Sequence, residues 1–241
     1  TGFVALIVLL TKVFESSGRS WGVILAIVAG ATMTLGNLVA LQQTNPVRLL
    51  AYSSISQAGF IIAPLAVSGI TGNYQDGIFA SVTYLIIYAF MNIGAFLSVH
   101  LFTNFTKSDN FYEWGGIAKH SPLTGVLTTV FFFSLAGIPP LGGWFAKFVV
   151  FRSLLSTGEI IGISLAIVGA INAVIALVYY ARISKVIWMD ELKNPEEEKS
   201  FEFQSPLKVV GALTVLITFV AGIFPGIFSY LGEVSSIFFG N

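Results

Sequence analysis

Lys147 is the residue whose type and surroundings point most directly to chemistry. It lies in the apolar run 142-GGWFAKFVVF-151, which begins at the end of the Gly- and Pro-rich segment 137-GIPPLGG-143. An ionisable side chain inside a long apolar stretch is costly to bury, so its presence indicates a functional role. A lysine suits proton transfer better than an arginine, because a buried amine can release its proton whereas a guanidinium stays charged. Lys147 is therefore a candidate proton-transfer residue.

The segment before Lys147 predicts a break in a helix. Five residues favour a sharp turn there: Gly137, Pro139, Pro140, Gly142 and Gly143. The prolines lack a backbone donor, and the glycines permit unusual backbone angles. A helix broken within a membrane leaves carbonyl groups free at the end of its first half, where the helix dipole is negative. Lys147 is placed to use these carbonyls, and the alternative is a lysine that reaches the lipid headgroups.

The composition indicates a membrane protein. Of 241 residues, 55% are hydrophobic and 10% are charged, with a formal net charge of zero. This balance offers no basic surface for nucleic acid. The chain has no Cys, and His100 and His120 lack the spacing of metal ligands, so we predict no metal or cofactor site in this chain. Neither H-E-x-x-H nor G-x-S-x-G occurs, which disfavours an intramembrane hydrolase.

The apolar segments predict an all-α polytopic helical bundle with one discontinuous helix, since a helix of about 20 apolar residues crosses the hydrocarbon core. We expect a single transmembrane domain over residues 1–241. Its predicted spans are 2–14 (partial), 21–41, 49–69, 78–103, 122–156 (broken), 160–189 and 207–230. We expect the chain to be the C-terminal portion of a longer protein, because its first span is too short and it begins without Met. The stretch 226–241 is expected to be an interfacial tail or the end of the last span.

The basic residues favour a single crossing by 122–156. Each half of this stretch is too short to span the bilayer alone. With one crossing, eight basic residues fall on one face of the membrane and three on the other. The eight are Arg48, Lys107, Lys119, Arg182, Lys185, Lys193, Lys199 and Lys208, and the three are Lys12, Arg19 and Arg152. The positive-inside rule then places the loops at 44–48, 104–121 and 182–206 in the cytoplasm and the C-terminus outside.

Three further polar residues are predicted to share one face of a helix. Tyr84, Tyr88 and Asn92 repeat every four residues in 84-YLIIYAFMN-92, which makes them candidates for a polar relay. The alternative is that they join helices by hydrogen bonds. Packing and hydrogen bonding are also the roles expected for Thr32, Thr34, Asn37, Ser53, Ser54, Ser56 and Gln57. We expect His100 and Lys12, near the ends of their segments, to lie at the membrane interface.

Three strings carry a resemblance to a known family: 41-LQQTNPVRLLAYSSISQAGF-60, 84-YLIIYAFMNIGAF-96 and 134-SLAGIPPLGGWFAKF-148. In this order they resemble the subunit N family of bacterial NADH-quinone oxidoreductase (respiratory complex I), which are antiporter-like proton-pumping membrane subunits. The resemblance covers essentially the whole chain, aligned with the C-terminal half of that subunit. It implies that 122–156 is the family's discontinuous helix and that Lys147 is its proton-translocating lysine.

The resemblance also implies a function and its setting. The chain would be a proton-translocating subunit that couples quinone reduction elsewhere in the complex to proton transfer through Lys147. It would belong to an enzyme, NADH:quinone oxidoreductase, without a redox-active site of its own, and FMN, iron–sulfur clusters and quinone would lie on partner subunits. The implied partners are other membrane-arm subunits, especially neighbouring antiporter-like and small membrane subunits, together with lipids. The implied location is the bacterial inner (plasma) membrane.

Two departures and two alternatives accompany this resemblance. Val47 stands before Arg48 where the family usually has Lys, and the family's other charged membrane residues would lie before Thr1. A subunit of a multisubunit cation/proton antiporter would share the QT, LLAYSS and GIP elements. A structural membrane-arm subunit would tolerate loss of Lys147. The string YxxxYxxMNxGAF resembles subunit N more than its paralogues.

Overall fold

The computed structural model describes residues 2–191 and 205–240, and within these ranges the secondary structure is helical without strands. The α-helices are α1 Gly2–Val8, α2 Gly18–Leu41, α3 Pro46–Thr71, α4 Tyr74–Thr106, α5 Ile117–His120, α6 Pro122–Ala136, α7 Gly142–Ser156, α8 Ile160–Met189, α9 Ser205–Ile223 and α10 Gly226–Gly240. A π-helix at Leu9–Val13 continues α1, and short 3₁₀ helices occupy Glu15–Ser17 and Phe111–Trp114. The predicted all-α class is confirmed.

Local signals set the ends of the central helices. The side-chain oxygen of Asn45 accepts a hydrogen bond from the amide of Arg48 at 3.0 Å and thereby caps the start of α3. The helix ends at Gly72, whose φ of +78° is the left-handed conformation that glycine adopts readily. Asn73 then caps α4 by accepting from the amide of Asp76 at 3.4 Å. These caps produce a short connection between two long helices.

Helix α3 lies at the centre of the bundle, where it contacts α2, α4, α7 and α8. Its approach to α2 is close because glycines face the neighbouring backbone. A Cβ added at Gly36 would lie 2.6 Å from the amide nitrogen of Ser56, and one added at Gly59 would lie 2.8 Å from the carbonyl oxygen of Ala29. Small residues at such contacts allow membrane helices to pack tightly. The largest fully buried side chains around α3 include Phe60, Tyr84, Phe131, Phe132 and Tyr180.

The outer surface of the bundle is also apolar. Exposed side chains on α2 and α8 include Ile24, Ile27, Leu35, Ile167, Ile171 and Val174. In the part of the chain that the structure describes, four helices are long and apolar enough to cross a membrane: Glu15–Leu41, α3, α4 and α8. The number rises to five if the bent pair α9 and α10 forms one span. The chain is a multi-pass membrane protein, and the predicted total of six full spans and one partial span stays a prediction.

The last predicted span, 207–230, is not one continuous helix. The axes of α9 and α10 differ by 84° across the break between Ile223 and Gly226. Pro225 lies in this break, and a proline both lacks a donor and disfavours a helical conformation in the residue before it. Helix α10 packs against α4, where a Cβ added at Gly232 would lie 2.2 Å from the hydroxyl of Thr83. The C-terminal segment therefore forms a separate helix on the bundle.

Candidate functional site at the helix break

Gly137 ends helix α6 with a φ of +97°. Its amide donates to the carbonyl of Ser134 at 2.9 Å, and the amide of Ile138 donates to the carbonyl of Phe133 at 3.0 Å. These two bonds form a Schellman motif, which satisfies two of the free carbonyls at a helix end. The next two carbonyls, those of Leu135 and Ala136, are left for other donors.

The start of α7 packs directly against the end of α6. A Cβ added at Gly143 would lie 1.7 Å from the carbonyl oxygen of Ser134, so only glycine fits there. The amide of Gly143 donates to the Ser134 hydroxyl at 3.1 Å, and this hydroxyl donates to the sulfur of Met91 at 2.8 Å. Gly142 is the first residue of α7, while Pro139 and Pro140 lie exposed in the connection. Three of the five predicted turn residues, Gly137, Pro139 and Pro140, thus lie in the connection between α6 and α7, and Gly142 and Gly143 begin α7.

The ammonium group of Lys147 occupies the carbonyl end of α6. Its Nζ donates to the carbonyl of Ala136 at 2.6 Å and to that of Leu135 at 3.1 Å. The Nζ also lies 5.2 Å from the centroid of the Phe60 ring, a cation–π distance. Lys147 is only 5% exposed. Carbonyl dipoles at a helix C-terminus stabilise a positive charge, so they offset part of the cost of burying this ammonium.

A chain of hydrogen bonds leads away from this lysine. The side-chain amide of Gln57 donates to the carbonyl of Leu135 at 3.3 Å, and the Tyr84 hydroxyl donates to the side-chain oxygen of Gln57. Gln57 and Tyr84 are both buried. The Leu135 carbonyl therefore joins Lys147 to a polar chain that crosses from α3 to α4. The sequence predicted a packing or hydrogen-bonding role for Gln57, which lies three residues after the LLAYSS string, but gave no signal of its place beside Lys147.

The predicted relay of Tyr84, Tyr88 and Asn92 is only partly assembled. Tyr84 joins the chain at Gln57. The Tyr88 hydroxyl is buried and has no hydrogen-bond partner among the described residues. Asn92 is partly exposed, two turns beyond Tyr84 on the same helix. The structure therefore brings one of these three residues to the lysine site.

A second polar cluster joins α2, α3 and α8. The Tyr179 hydroxyl donates to the side-chain oxygen of Asn37 at 2.9 Å, and the Asn37 amide donates to the backbone carbonyl of Asn172 at 2.9 Å and to its side-chain oxygen at 3.0 Å. The hydroxyls of Ser53 and Tyr180 lie 2.5 Å apart. The members of this cluster on α8, Asn172, Tyr179 and Tyr180, were not predicted from the sequence. Asn172 could have been found, because an asparagine is unusual in so apolar a helix.

The remaining candidates lie apart from this site. Lys12 is exposed near the end of the π-helix. His100 is exposed, and its Nε2 lies 2.8 Å from the amide nitrogen of Asn104. Among residues 2–191 and 205–240, no group of three or more His, Cys, Asp or Glu side chains is placed to hold a metal ion.

The fold and the site define a class: polytopic membrane proteins with a buried lysine at the break of a discontinuous helix. Residues 1–175 match the family "NADH:quinone oxidoreductase/Mrp antiporter, TM", and the chain belongs to this family. One relative, "NADH-quinone oxidoreductase subunit N 2" of Rhizobium meliloti, is 38% identical over 238 residues, which cover 98% of this chain and 47% of the relative. The resemblance predicted from the three sequence strings is confirmed. The chain spans less than half the length of the curated relatives it matches.

Two solved structures share the fold. The Mrp complex from Dietzia sp. DQ12-45-1b contains a chain that superimposes with a TM-score of 0.82 at 20% identity, over 97% of this chain and 50% of that chain. Respiratory complex I from Thermus thermophilus with bound aureothin contains one with a TM-score of 0.63 at 25% identity, over 86% of this chain and 44% of that chain. The fold of this chain is thus also that of chains in these two complexes.

Proposed function

We propose that this chain is part of a proton-translocating membrane subunit of a bacterial NADH-quinone oxidoreductase, and that Lys147 is its proton-carrying residue. The observation that carries the proposal is the ammonium of Lys147, buried in the bundle and held by the carbonyls at the end of a broken helix. The name of the 38% identical Rhizobium relative supports the choice of complex.

The geometry suits a residue that exchanges a proton in response to an electric field. The Leu135 and Ala136 carbonyls and the Phe60 ring favour the charged ammonium. The apolar surroundings favour the neutral amine, because a charge is poorly solvated there. Electrostatic forces act strongly in such an environment. A change of charge along the membrane arm can therefore shift the balance and make Lys147 bind or release a proton.

The redox chemistry belongs to other subunits in this proposal. FMN, iron–sulfur clusters and quinone would be bound by partners, and no electron would pass through this chain. The partners would be the other membrane-arm subunits, above all the adjacent antiporter-like and small membrane subunits, and the surrounding lipid. The subunit would lie in the bacterial plasma membrane with its C-terminus outside, because that orientation leaves most basic residues in the cytoplasm.

The test is Lys147→Ala in the full-length protein within the assembled complex. We expect NADH-driven proton pumping and the coupled quinone reductase activity both to fall severalfold or more. Lys12→Ala is the matched control, since Lys12 is also in an apolar segment but is exposed. Normal pumping by the Lys147 variant in a verified complex would favour a purely structural subunit.

A second candidate is a subunit of a cation/proton antiporter, because the family that the chain belongs to includes the Mrp antiporters. Such a protein would use the same lysine and the same broken helix. Proton movement in response to a Na⁺ or K⁺ gradient without NADH, lost in Lys147→Ala, would favour this candidate over the oxidoreductase.

A further inference from the structure

A polar pocket of about 270 Å³ opens between the start of α4, the end of α7 and α10. Its walls include Asn73, Asp76, Arg152, Glu233 and Ser236. Helices α3 and α4 meet here through the connection at Gly72, whereas their other ends lead to the loops at 44–48 and 104–121. The pocket therefore lies on the face that we propose to be outside the cell.

A narrow polar crevice lies beside this pocket and extends between α3, α4 and α7. Ser68, Thr71 and Ser153 line it, together with Asn73 and Asp76. Asn73 and Asp76 line both the crevice and the open pocket. Asp76 thus lies where the crevice meets the open pocket. The crevice is too narrow to hold a water molecule in this conformation.

Polar groups connect the crevice with the surroundings of Lys147. Ser153 follows Lys147 by six residues on α7, which corresponds to about 9 Å along a helix axis. On α3, the Phe60 ring faces the Lys147 ammonium, and the next carbonyl, that of Ile61, accepts from the Ser81 hydroxyl at 2.7 Å. One turn further towards the crevice, the Ser68 hydroxyl donates to the Leu65 carbonyl at 2.8 Å.

A proline interrupts α3 between these two hydroxyl contacts. Pro64 has no amide hydrogen, so the carbonyl of Phe60, four residues earlier, lacks its usual donor within the helix. Gly77 of α4 approaches the same turn: a Cβ added there would lie 2.5 Å from the Ser68 hydroxyl and 2.9 Å from the Pro64 carbonyl oxygen. Two hydroxyl groups, those of Ser81 and Ser68, thus lie between the level of Phe60 and the crevice that Asp76 lines.

We propose that Asp76 is the proton acceptor on the outer side of Lys147. The Lys147 ammonium loses one proton and becomes a neutral amine, and the Asp76 carboxylate gains that proton and becomes a carboxylic acid. Asp76 then releases the proton into the open pocket and returns to its carboxylate form. The crevice must widen to admit water before this transfer, and its closed form keeps protons from leaking between the two groups. This inference rests on the proposed function of Lys147.

Asp76→Asn in the full-length protein within the complex tests the inference. The asparagine has nearly the same shape, and the Asn73 cap bonds the backbone amide of residue 76, so the start of α4 is retained. We expect NADH-driven proton pumping to fall severalfold and to recover in Asp76→Glu. Glu233→Gln is the matched control, because Glu233 lines the open pocket but not the crevice and is exposed.

The outcomes separate the inference from the proposed function. If Asp76→Asn pumps normally while Lys147→Ala does not, Asp76 is not the acceptor and the role of Lys147 stands. If both variants pump normally, the proposed function fails and the inference fails with it. Should Asp76→Asn not assemble, Ser153→Val decides: it fills the crevice without changing a charge, so pumping must fall if the proton passes there, and normal pumping would overturn the inference.

Discussion

Gly137→Ala is expected to impair proton transfer beyond its effect on stability. At a φ of +97°, alanine pays about 1–2 kcal/mol for the left-handed conformation. Its Cβ would lie 2.8 Å from Cδ and 3.3 Å from Nζ of Lys147, so the lysine side chain must move. The movement weakens a charge-assisted bond to Leu135 or Ala136, worth about 1.5–3 kcal/mol. A loss of that size lowers the population of the lysine at the carbonyls roughly 10- to 100-fold.

Gly158→Ala is the matched control for this change. Gly158 has a φ of +67°, and a Cβ added there meets no heavy atom within 4 Å, so the substitution carries the backbone cost alone. The assay is NADH-driven pumping by the assembled complex in vesicles, with thermal denaturation measured in parallel. We expect Gly137→Ala to lose more stability than Gly158→Ala, because it also weakens the Lys147 contact, and we expect only Gly137→Ala to lose pumping. Equal pumping by the two variants would refute the reasoning about the Lys147 contact.

Two further comparisons concern the polar contacts of the bundle. Tyr84→Phe leaves the buried side-chain oxygen of Gln57 without its donor, which costs about 1–3 kcal/mol of stability. Tyr88→Phe removes a hydroxyl that has no hydrogen-bond partner among the described residues. The melting temperature should therefore fall for Tyr84→Phe and hardly change for Tyr88→Phe. The Ala variants of Asn37 and Asn172 should be non-additive by about 0.5–2 kcal/mol in a double-mutant cycle of unfolding in detergent, and simple additivity would mean that their hydrogen bonds contribute nothing.

The interruption before Lys147 was predictable because its causes are local. Prolines without amide hydrogens and glycines that accept a left-handed backbone act on their own segment of the chain, whatever packs around them. The position of the lysine followed for the same reason, since it begins the second turn of α7 and α7 folds back beside the end of α6. The turn at Pro225 was equally local, but the long apolar run across it favoured a single span.

The partners of the lysine site were not predictable in the same way. Tyr84 and Tyr88 share a helix face by periodicity, yet only Tyr84 meets Gln57, because that contact depends on how α3 and α4 pack. Asn37 and Asn172 are far apart in the sequence, and each alone indicates only a hydrogen-bonding residue in a membrane. Contacts of this kind arise from helix packing, which a single sequence does not specify residue by residue.

The most direct test of the account is Lys147→Arg in the assembled complex, with protons pumped and quinone reduced measured together. Arginine keeps the positive charge and donors for the Leu135 and Ala136 carbonyls but does not release its proton. If Lys147 carries the proton, pumping and coupled turnover must be lost in this variant as they are in Lys147→Ala. Pumping at the level of the unmodified complex would contradict the account and assign Lys147 a structural role.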